Sequence, residues 1–194
     1  MRRRFMNTPE QLASLEGQQY LVLRPVSGVA DLYSAEQRDA LSTTDLPHPH
    51  TGHVTLRGFF ESTRRDELGE LVRAWAAAQQ PIELVVDGVD AFPDPWRILI
   101  LRLARTDSLV SAYATLTDAL ETTDLRRLGE LPLDDWIFHM SVVYGKTLAD
   151  DAWRELESAR VRRSDRPERE VLREVELVSY EDGQEHSLVF PLGG

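Results

Sequence analysis

The sequence predicts an α+β protein with antiparallel sheets. Segments with strand-like and helix-like periods alternate along its 194 residues, and several strand pairs are joined by short turns. No Gly-rich phosphate loop of the kind that opens a doubly wound parallel sheet is present. An apolar fraction of 42% is enough to form a core. We therefore expect one domain over residues 1–194, with residues 1–18 as an N-terminal extension and residues 160–173 as an exposed charged loop.

The first half of the chain carries four predicted strands and two predicted helices. Alternating or β-branched and aromatic stretches predict strands at residues 20–26, 53–60, 82–86 and 96–103. The stretch DGVDAFPDP between the last two is rich in turn residues, so we expect a turn over residues 87–95. Apolar residues at helical spacing predict helices at 63–80, ended by Pro81, and at 107–120.

The second half repeats this order of strand and helix. Residues 136–144 (WIFHMSVVY) are predicted to form a strand, and residues 148–161 an amphipathic helix. Two further strands, at 171–180 and 186–190, flank Asp182-Gly183, which is a strong hairpin signal.

Composition excludes several classes of protein. There are no cysteines, so disulfides, thiolate metal sites and cysteine nucleophiles are ruled out. No apolar run approaches the ~20 residues of a membrane helix, and the N-terminus does not resemble a secretion signal, so we expect a cytoplasmic protein that does not bind membranes. A net charge of −11 argues against binding long duplex nucleic acid. A small phosphate ligand remains compatible with that charge, and a monomer is expected.

One weak internal repeat points to a site. HVTL begins at His53 and HMSV begins at His139, a separation of 139 − 53 = 86 residues, which is close to half the chain. In a strand, residues i and i+2 point to the same face, so each motif presents an imidazole and a hydroxyl together: His53 with Thr55, and His139 with Ser141. Two such strands facing each other would form a site with four functional groups.

These groups suit in-line displacement at phosphorus. One imidazole can take a proton from the attacking oxygen while the other protonates the leaving oxygen, because a pKa of about 6.5 permits both roles near neutrality. The hydroxyls can donate to the non-bridging oxygens, where charge accumulates. No cofactor and no metal are required for this chemistry.

The two motifs resemble the paired His-x-Thr/Ser-x motifs of the 2H phosphoesterase superfamily, the family of bacterial 2'-5' RNA ligases and 2',3'-cyclic nucleotide phosphodiesterases. The resemblance extends over roughly residues 20–192, including the order of elements and the C-terminal hairpin. It implies a bilobal fold with pseudo-two-fold symmetry, in which two antiparallel sheets flank a central cleft and helices cover the outer faces. It also implies metal-independent action on 2',3'-cyclic phosphates or 2'-5' linkages of a small nucleotide or RNA end.

By motif match, the resemblance assigns His53 and His139 as acid–base residues and Thr55 and Ser141 as phosphate ligands. Some family members have an arginine five residues after the second histidine, where this chain has Tyr144. Arg57 shares strand parity with His53 and Thr55, so it is a candidate for the missing cation. Arg57 and Tyr144 are therefore the candidate substrate-binding residues.

Several alternatives stay open. His48, His50 and His53 superficially resemble a metal cluster, although Pro47 and Pro49 make the first two loop residues and no acidic ligand follows at helical spacing. The 160–173 stretch could contact RNA or simply be solvated. Aromatic residues could stack a base or pack in the core; these are Phe60, Trp136 and Tyr144. The alternative function is a non-catalytic nucleotide-binding module, and end joining is the reverse of the proposed hydrolysis.

Overall fold

A computed structural model describes residues 3–6, 8–46 and 51–193. The helices are α1 (Pro9–Ser14), α2 (Gly28–Leu41), α3 (Arg65–Ala77), α4 (Asp107–Glu121) and α5 (Asp150–Arg160), and a 3-10 turn covers Leu133–Asp135. The strands are β1 (Gln19–Leu23), β2 (Val54–Phe59), β3 (Ile82–Phe92), β4 (Ile98–Leu103), β5 (Arg127–Leu128), β6 (His139–Tyr144), β7 (Arg162–Arg163), β8 (Arg169–Leu172), β9 (Glu174–Glu181) and β10 (Gln184–Pro191).

The strands form two sheets in which the paired strands run antiparallel, as predicted. The first sheet has the order β10-β9-β1-β2-β5. The second has the order β6-β4-β3-β7, and β8 pairs with the other end of β3. The strands that carry the two histidine motifs, β2 and β6, thus belong to different sheets.

The main core lies between the sheets and their helices. α3 packs on β9 and β10, α4 packs on β3, and α2 packs on β6 and β8. A separate apolar cluster of Phe5, Val22, Val178 and Tyr180 covers the opposite face of the first sheet. That second cluster includes part of the N-terminal extension. Among the helices of the described chain, none has the length and apolar character to cross a membrane.

The predicted C-terminal hairpin is confirmed. Asp182 and Gly183 both have positive φ, 53° and 67°, which matches the geometry of a tight two-residue turn between β9 and β10. The Glu16 carboxylate accepts hydrogen bonds from the backbone N–H groups of both residues. The turn is therefore held by the chain segment that precedes β1.

The predicted turn over residues 87–95 is wrong for most of its length, because β3 continues to Phe92. Gly88, which looks like a turn residue, instead permits a close approach of two strands. A Cβ at this position would lie 2.3 Å from the carbonyl oxygen of Arg162 in β7. The glycine is required by sheet packing here rather than by a turn.

Two other expectations need correction. The 160–173 stretch is largely exposed, as predicted, but it is not simply a loop, because β7 and β8 lie within it and pair with β3. The N-terminal extension is integrated into the fold: it contains α1, and Phe5 is only 1% exposed. In addition, α2 and the short β5 have no counterpart among the predicted elements.

Candidate active site

The four motif residues lie on the same face of their strands, as the two-residue period predicts. His53, just before β2, and Thr55 are half-buried, whereas Val54 and Leu56 are fully buried in the core. His139 and Ser141 in β6 are half-buried as well, and the alternate residues Met140 and Val142 are buried. Each strand thus directs its polar motif residues away from the main core.

A close contact brings the two motifs together. Gly52 precedes His53, and Met140 follows His139. A Cβ added to Gly52 would lie 2.8 Å from Cε of Met140 and 2.7 Å from the Tyr33 ring of α2. The residue beside one histidine is thus packed directly against the residue beside the other, and a larger residue at position 52 would displace the Met140 or Tyr33 side chain.

Both imidazoles are held in the same way. The Nδ1–H of His53 donates to the carbonyl oxygen of Thr51 at 3.0 Å, and the Nδ1–H of His139 donates to that of Ile137 at 2.7 Å. In each case the acceptor is two residues upstream. Because a carbonyl can only accept, the hydrogen is assigned to Nδ1, and Nε2 carries the lone pair of the neutral ring. Nε2 is therefore the nitrogen suited to proton transfer.

Each imidazole also contacts a phenyl ring edge to face. The centroids of Phe5 and His53 are 4.8 Å apart with an interplanar angle of 73°. Those of Phe92 and His139 are 4.9 Å apart at 90°. The two histidines thus share both a backbone acceptor and an aromatic neighbour.

Electrostatics favour the neutral form of His139. Burial lowers the pKa of His139 below its ordinary value of 6.5, and the backbone hydrogen bond to Ile137 only partly opposes this effect. Desolvation disfavours the imidazolium because the charged ring loses hydration. At pH 7, His139 is thus poised to accept a proton.

A β-bulge follows each motif at the same position. In β2, Val22 pairs with Thr55 and Leu21 pairs with Arg57, so Leu56 is the extra residue. In β6, Ile100 pairs with Ser141 and Leu99 with Val143, so Val142 is extra. Both extra residues stand three positions after a histidine. A bulge reverses the alternation of side chains beyond it. Arg57 and Tyr144 therefore point to the face opposite the one that strict alternation predicts.

The expectation that Arg57 supplies a cation to the cleft is wrong. Its side chain is 0% exposed and lies on the helical side of the sheet, where Nη2 donates to Oγ1 of Thr117 in α4 at 2.7 Å. The guanidinium also pairs with Glu130 at 3.0 Å and stacks over the Tyr113 ring at 4.5 Å. Because of the bulge at Leu56, Arg57 does not point to the same face of β2 as His53.

Tyr144 turns toward the cleft for the same reason. Strict alternation would place it opposite His139, but the bulge at Val142 restores it to the face of His139 and Ser141. It is 44% exposed and hydrogen-bonds with Ser141. Burial is the main cause that raises the pKa of Tyr144, so the phenol stays protonated at neutral pH.

A cavity of about 180 Å³ lies between the two sheets at this site. His53, Thr55 and Tyr144 contribute its polar wall. The other wall is apolar and aromatic, and it is formed by Phe5, Met6, Leu15, Tyr20, Val22, Val178 and Tyr180. The cavity therefore joins a polar wall to an aromatic one, and His139 and Ser141 are not among its lining residues.

Arg102 is a cation near the site that the sequence did not single out. In β4 it pairs directly with His139, so both side chains lie on the same face of the second sheet. Arg102 is 46% exposed on its side chain, and its Nη1 donates to Asp90 at 3.1 Å. Arg102 can be identified only from the register between β4 and β6, which the sequence alone does not give.

The other candidates do not enter the cavity described above. Trp136 lies on Tyr113, with centroids 5.1 Å apart, and Phe60 lies under the guanidinium of Arg126 at 4.8 Å. In the charged stretch, Arg162 pairs with Glu36, and Arg169 pairs with Glu83. His48 and His50 fall outside the described residues, and those described contain no group of three or more potential metal ligands.

Several solved structures share this fold at low sequence identity. TT0787 of Thermus thermophilus is similar with a TM-score of 0.63 and 17% identity, over 91% of this chain and 98% of that one. E. coli LigT complexed with 3'-AMP has a TM-score of 0.56 and 14% identity, over 92% of this chain and 99% of that one. Kluyveromyces marxianus Usb1 has a TM-score of 0.53 and 13% identity, over 92% of this chain and 100% of that one.

The family follows from the sequence itself. The model of the 2'-5' RNA ligase superfamily matches residues 31–184, which is most of the chain. This chain therefore belongs to the 2'-5' RNA ligase superfamily. A search of curated proteins gives no match.

Proposed function

We propose that this protein is a phosphodiesterase that hydrolyses or transesterifies a 2',3'-cyclic phosphate or 2'-5' bond of a small nucleotide or RNA end. The observation that carries the proposal is the matched pair of imidazoles: each donates Nδ1–H to a carbonyl two residues upstream, so each offers Nε2 for proton transfer. Nucleotide binding alone would not need two histidines prepared in this way.

The lowered pKa of His139 supports a division of roles. His139 Nε2 takes the proton of the attacking water or hydroxyl, and the oxygen forms its bond to phosphorus. The bond from phosphorus to the ribose 2'- or 3'-oxygen breaks, and protonated His53 gives its Nε2 proton to that oxygen. Throughout, the bond from Nδ1 to Thr51 keeps the His53 ring in place.

The remaining polar groups stabilise charge on phosphorus. Thr55 and Ser141 donate to the non-bridging oxygens, where negative charge grows as phosphorus becomes pentacoordinate. Tyr144, which is hydrogen-bonded to Ser141, extends this row of donors. Arg102, which pairs with His139 across β4 and β6 and is held by Asp90, takes the place of Arg57 as the candidate cation.

Size and charge favour a small substrate. The cavity of about 180 Å³ suits a single nucleoside group, with Tyr20 and Tyr180 on its wall. A net charge of −11 repels a polyanion outside the local site. The related folds hold ligands of this class: LigT has been solved with 3'-AMP and with NADP+, and Usb1 with uridine monophosphate.

The test is a substrate screen with matched histidine variants. Purified protein is assayed on 2',3'-cyclic mononucleotides, 2'-5' dinucleotides and NAD-derived cyclic phosphates, with and without EDTA, and product regiochemistry is read by NMR. We expect turnover in EDTA, and a loss of at least about a hundredfold in His53→Ala and in His139→Ala. His186→Ala is the control, because His186 lies exposed on β10.

The screen also separates the alternatives. Binding of nucleotides without turnover of any of them would indicate a non-catalytic module. Near wild-type turnover in either histidine variant, with circular dichroism showing a folded protein, would disprove the two-histidine mechanism.

A further inference from the structure

The N-terminal segment, defined here as residues 3–6, is tied to the loop that carries His53. The backbone N–H of Thr51 donates to the carbonyl of Phe5 at 3.1 Å, and its hydroxyl donates to the carbonyl of Arg4 at 2.7 Å. Thr51 is also the residue whose carbonyl accepts the Nδ1–H of His53. One residue therefore connects the N-terminal segment to the imidazole.

The segment is anchored to the first sheet from its other side. The backbone N–H groups of Phe5 and Met6 donate to the Glu185 carboxylate at 2.8–3.0 Å. The Arg24 guanidinium stacks over the Phe5 ring at 3.6 Å and donates to the carbonyl of Arg3. Arg24 is itself held by Glu176, at 2.7 Å. Phe5 is therefore fixed between a guanidinium and the His53 ring.

The second histidine receives its phenyl ring from β3. Phe92 is the last residue of β3, in the same sheet as His139, and contacts the imidazole at 4.9 Å. The contact of Phe5 with His53, at 4.8 Å, is almost the same distance. Yet Phe5 lies before residue 31, where the match to the family model begins. The segment thus supplies to the first motif what β3 supplies to the second.

We propose that Phe5 is a positioning residue for His53, and that the N-terminal segment thereby completes the catalytic pair. This inference rests on the proposed function for its consequence in catalysis. The phenyl ring blocks rotation of the imidazole, while Thr51 fixes the hydrogen on Nδ1. Together they hold Nε2 in one direction, so proton transfer does not wait for the ring to reorient.

The test uses two matched variants, Phe5→Leu and Phe92→Leu, which keep apolar bulk but remove the ring. Ring 15N shifts from NMR report which nitrogen of each imidazole carries the hydrogen, independently of any substrate. We expect Phe5→Leu to give His53 a mixture of the two tautomers and to leave His139 unchanged. Phe92→Leu should do the reverse.

Kinetics on the best substrate provide the second measurement. In Phe5→Leu we expect kcat to fall about tenfold, because the orientation of the His53 ring is lost. Since Phe5 also lines the cavity, kcat at saturating substrate and not KM is the criterion. An unchanged His53 tautomer together with an unchanged kcat in the folded variant would overturn the proposal. A shifted tautomer in a protein that hydrolyses none of the substrates would leave the positioning intact and defeat the proposed function instead.

Discussion

Replacing Arg57 tests the consequence of the bulge in β2. If Arg57 is part of the core, its loss should lower the free energy of unfolding and leave substrate binding by the folded protein unchanged. If it bound substrate in the cleft, its loss should raise KM at little cost in stability. Arg57→Ala and Arg57→Met separate these outcomes.

The magnitude follows from the contacts of Arg57. Breaking a buried ion pair by removing one partner costs about 3–5 kcal/mol, and the side chains of Arg57 and Glu130 are 0% and 30% exposed. Because Glu130 can regain some hydration, we expect the lower end for Arg57→Ala, about 3 kcal/mol. For a chain of this length that corresponds to a fall in Tm of about 6–12 °C.

Arg57→Met should cost about 1 kcal/mol less, since its chain keeps the apolar contact with Tyr113. Furthermore, Nε of Arg57 has no hydrogen-bond partner among the described residues, so part of its desolvation is not compensated. Urea denaturation gives the free energies, and initial rates on the best substrate give KM. An unchanged Tm with KM raised tenfold or more would refute the placement of Arg57 in the core.

Three further predictions concern the site. Burial lowers the pKa of His139, whose neutral form is the base, so kcat/KM should rise with pH with a midpoint below 6.5. Between the folded-state pKa and 6.5 the unfolded chain binds more protons than the folded one, so the free energy of unfolding should fall as pH falls through this range. In His139→Gln, both pH dependences should disappear from the rate measurements and the urea titrations. Thr55→Val and Ser141→Ala should each lower kcat by about 2 kcal/mol, or roughly thirtyfold, while a change confined to KM would indicate ground-state binding only. For a cyclic mononucleotide, kcat/KM should depend weakly on salt between about 50 and 200 mM, and a strong preference for a 20-mer that disappears with salt would identify 160–173 as an RNA-binding arm.

The sequence predicted the elements whose signals are local. Alternation in HVTL and HMSV placed the four polar motif residues on one face of each strand, and Asp182-Gly183 marked the hairpin. These signals depend on residues within a few positions of each other. They are therefore readable without knowing what the segment packs against.

Features stabilised by distant contacts were missed. The first residues of α2 are capped by Glu170, whose carboxylate accepts hydrogen bonds from the backbone N–H groups of Val26, Ser27 and Val29. Ser27 makes no side-chain capping bond of its own, so no local cap announces the helix. Similarly, the contact of Phe5 with His53 joins residues 48 positions apart, by the difference of their numbers.

The two bulges explain why strict alternation fails beyond both motifs, at Arg57 and at Tyr144. Each extra residue stands three positions after a histidine. The side chain four positions after the histidine therefore points into the core, and the one five positions after it points toward the cleft. In the second motif these are Val143 and Tyr144, and only Tyr144 is exposed. A strict period of two cannot reveal this change, because the sequence contains no turn residue at Leu56 or Val142.

The same comparison shows where the symmetry of the site ends. The position equivalent to Tyr144 in the first motif is Gly58, where an added Cβ would lie 3.1 Å from both the Tyr20 ring and Leu128. β5 pairs with β2 here and occupies the space that a side chain would need. The first motif thus contributes no phenol at this position, and its aromatic neighbours come from Tyr20 and the N-terminal segment. The two imidazoles therefore lie in unequal surroundings, which is the condition under which one can serve as base and the other as acid.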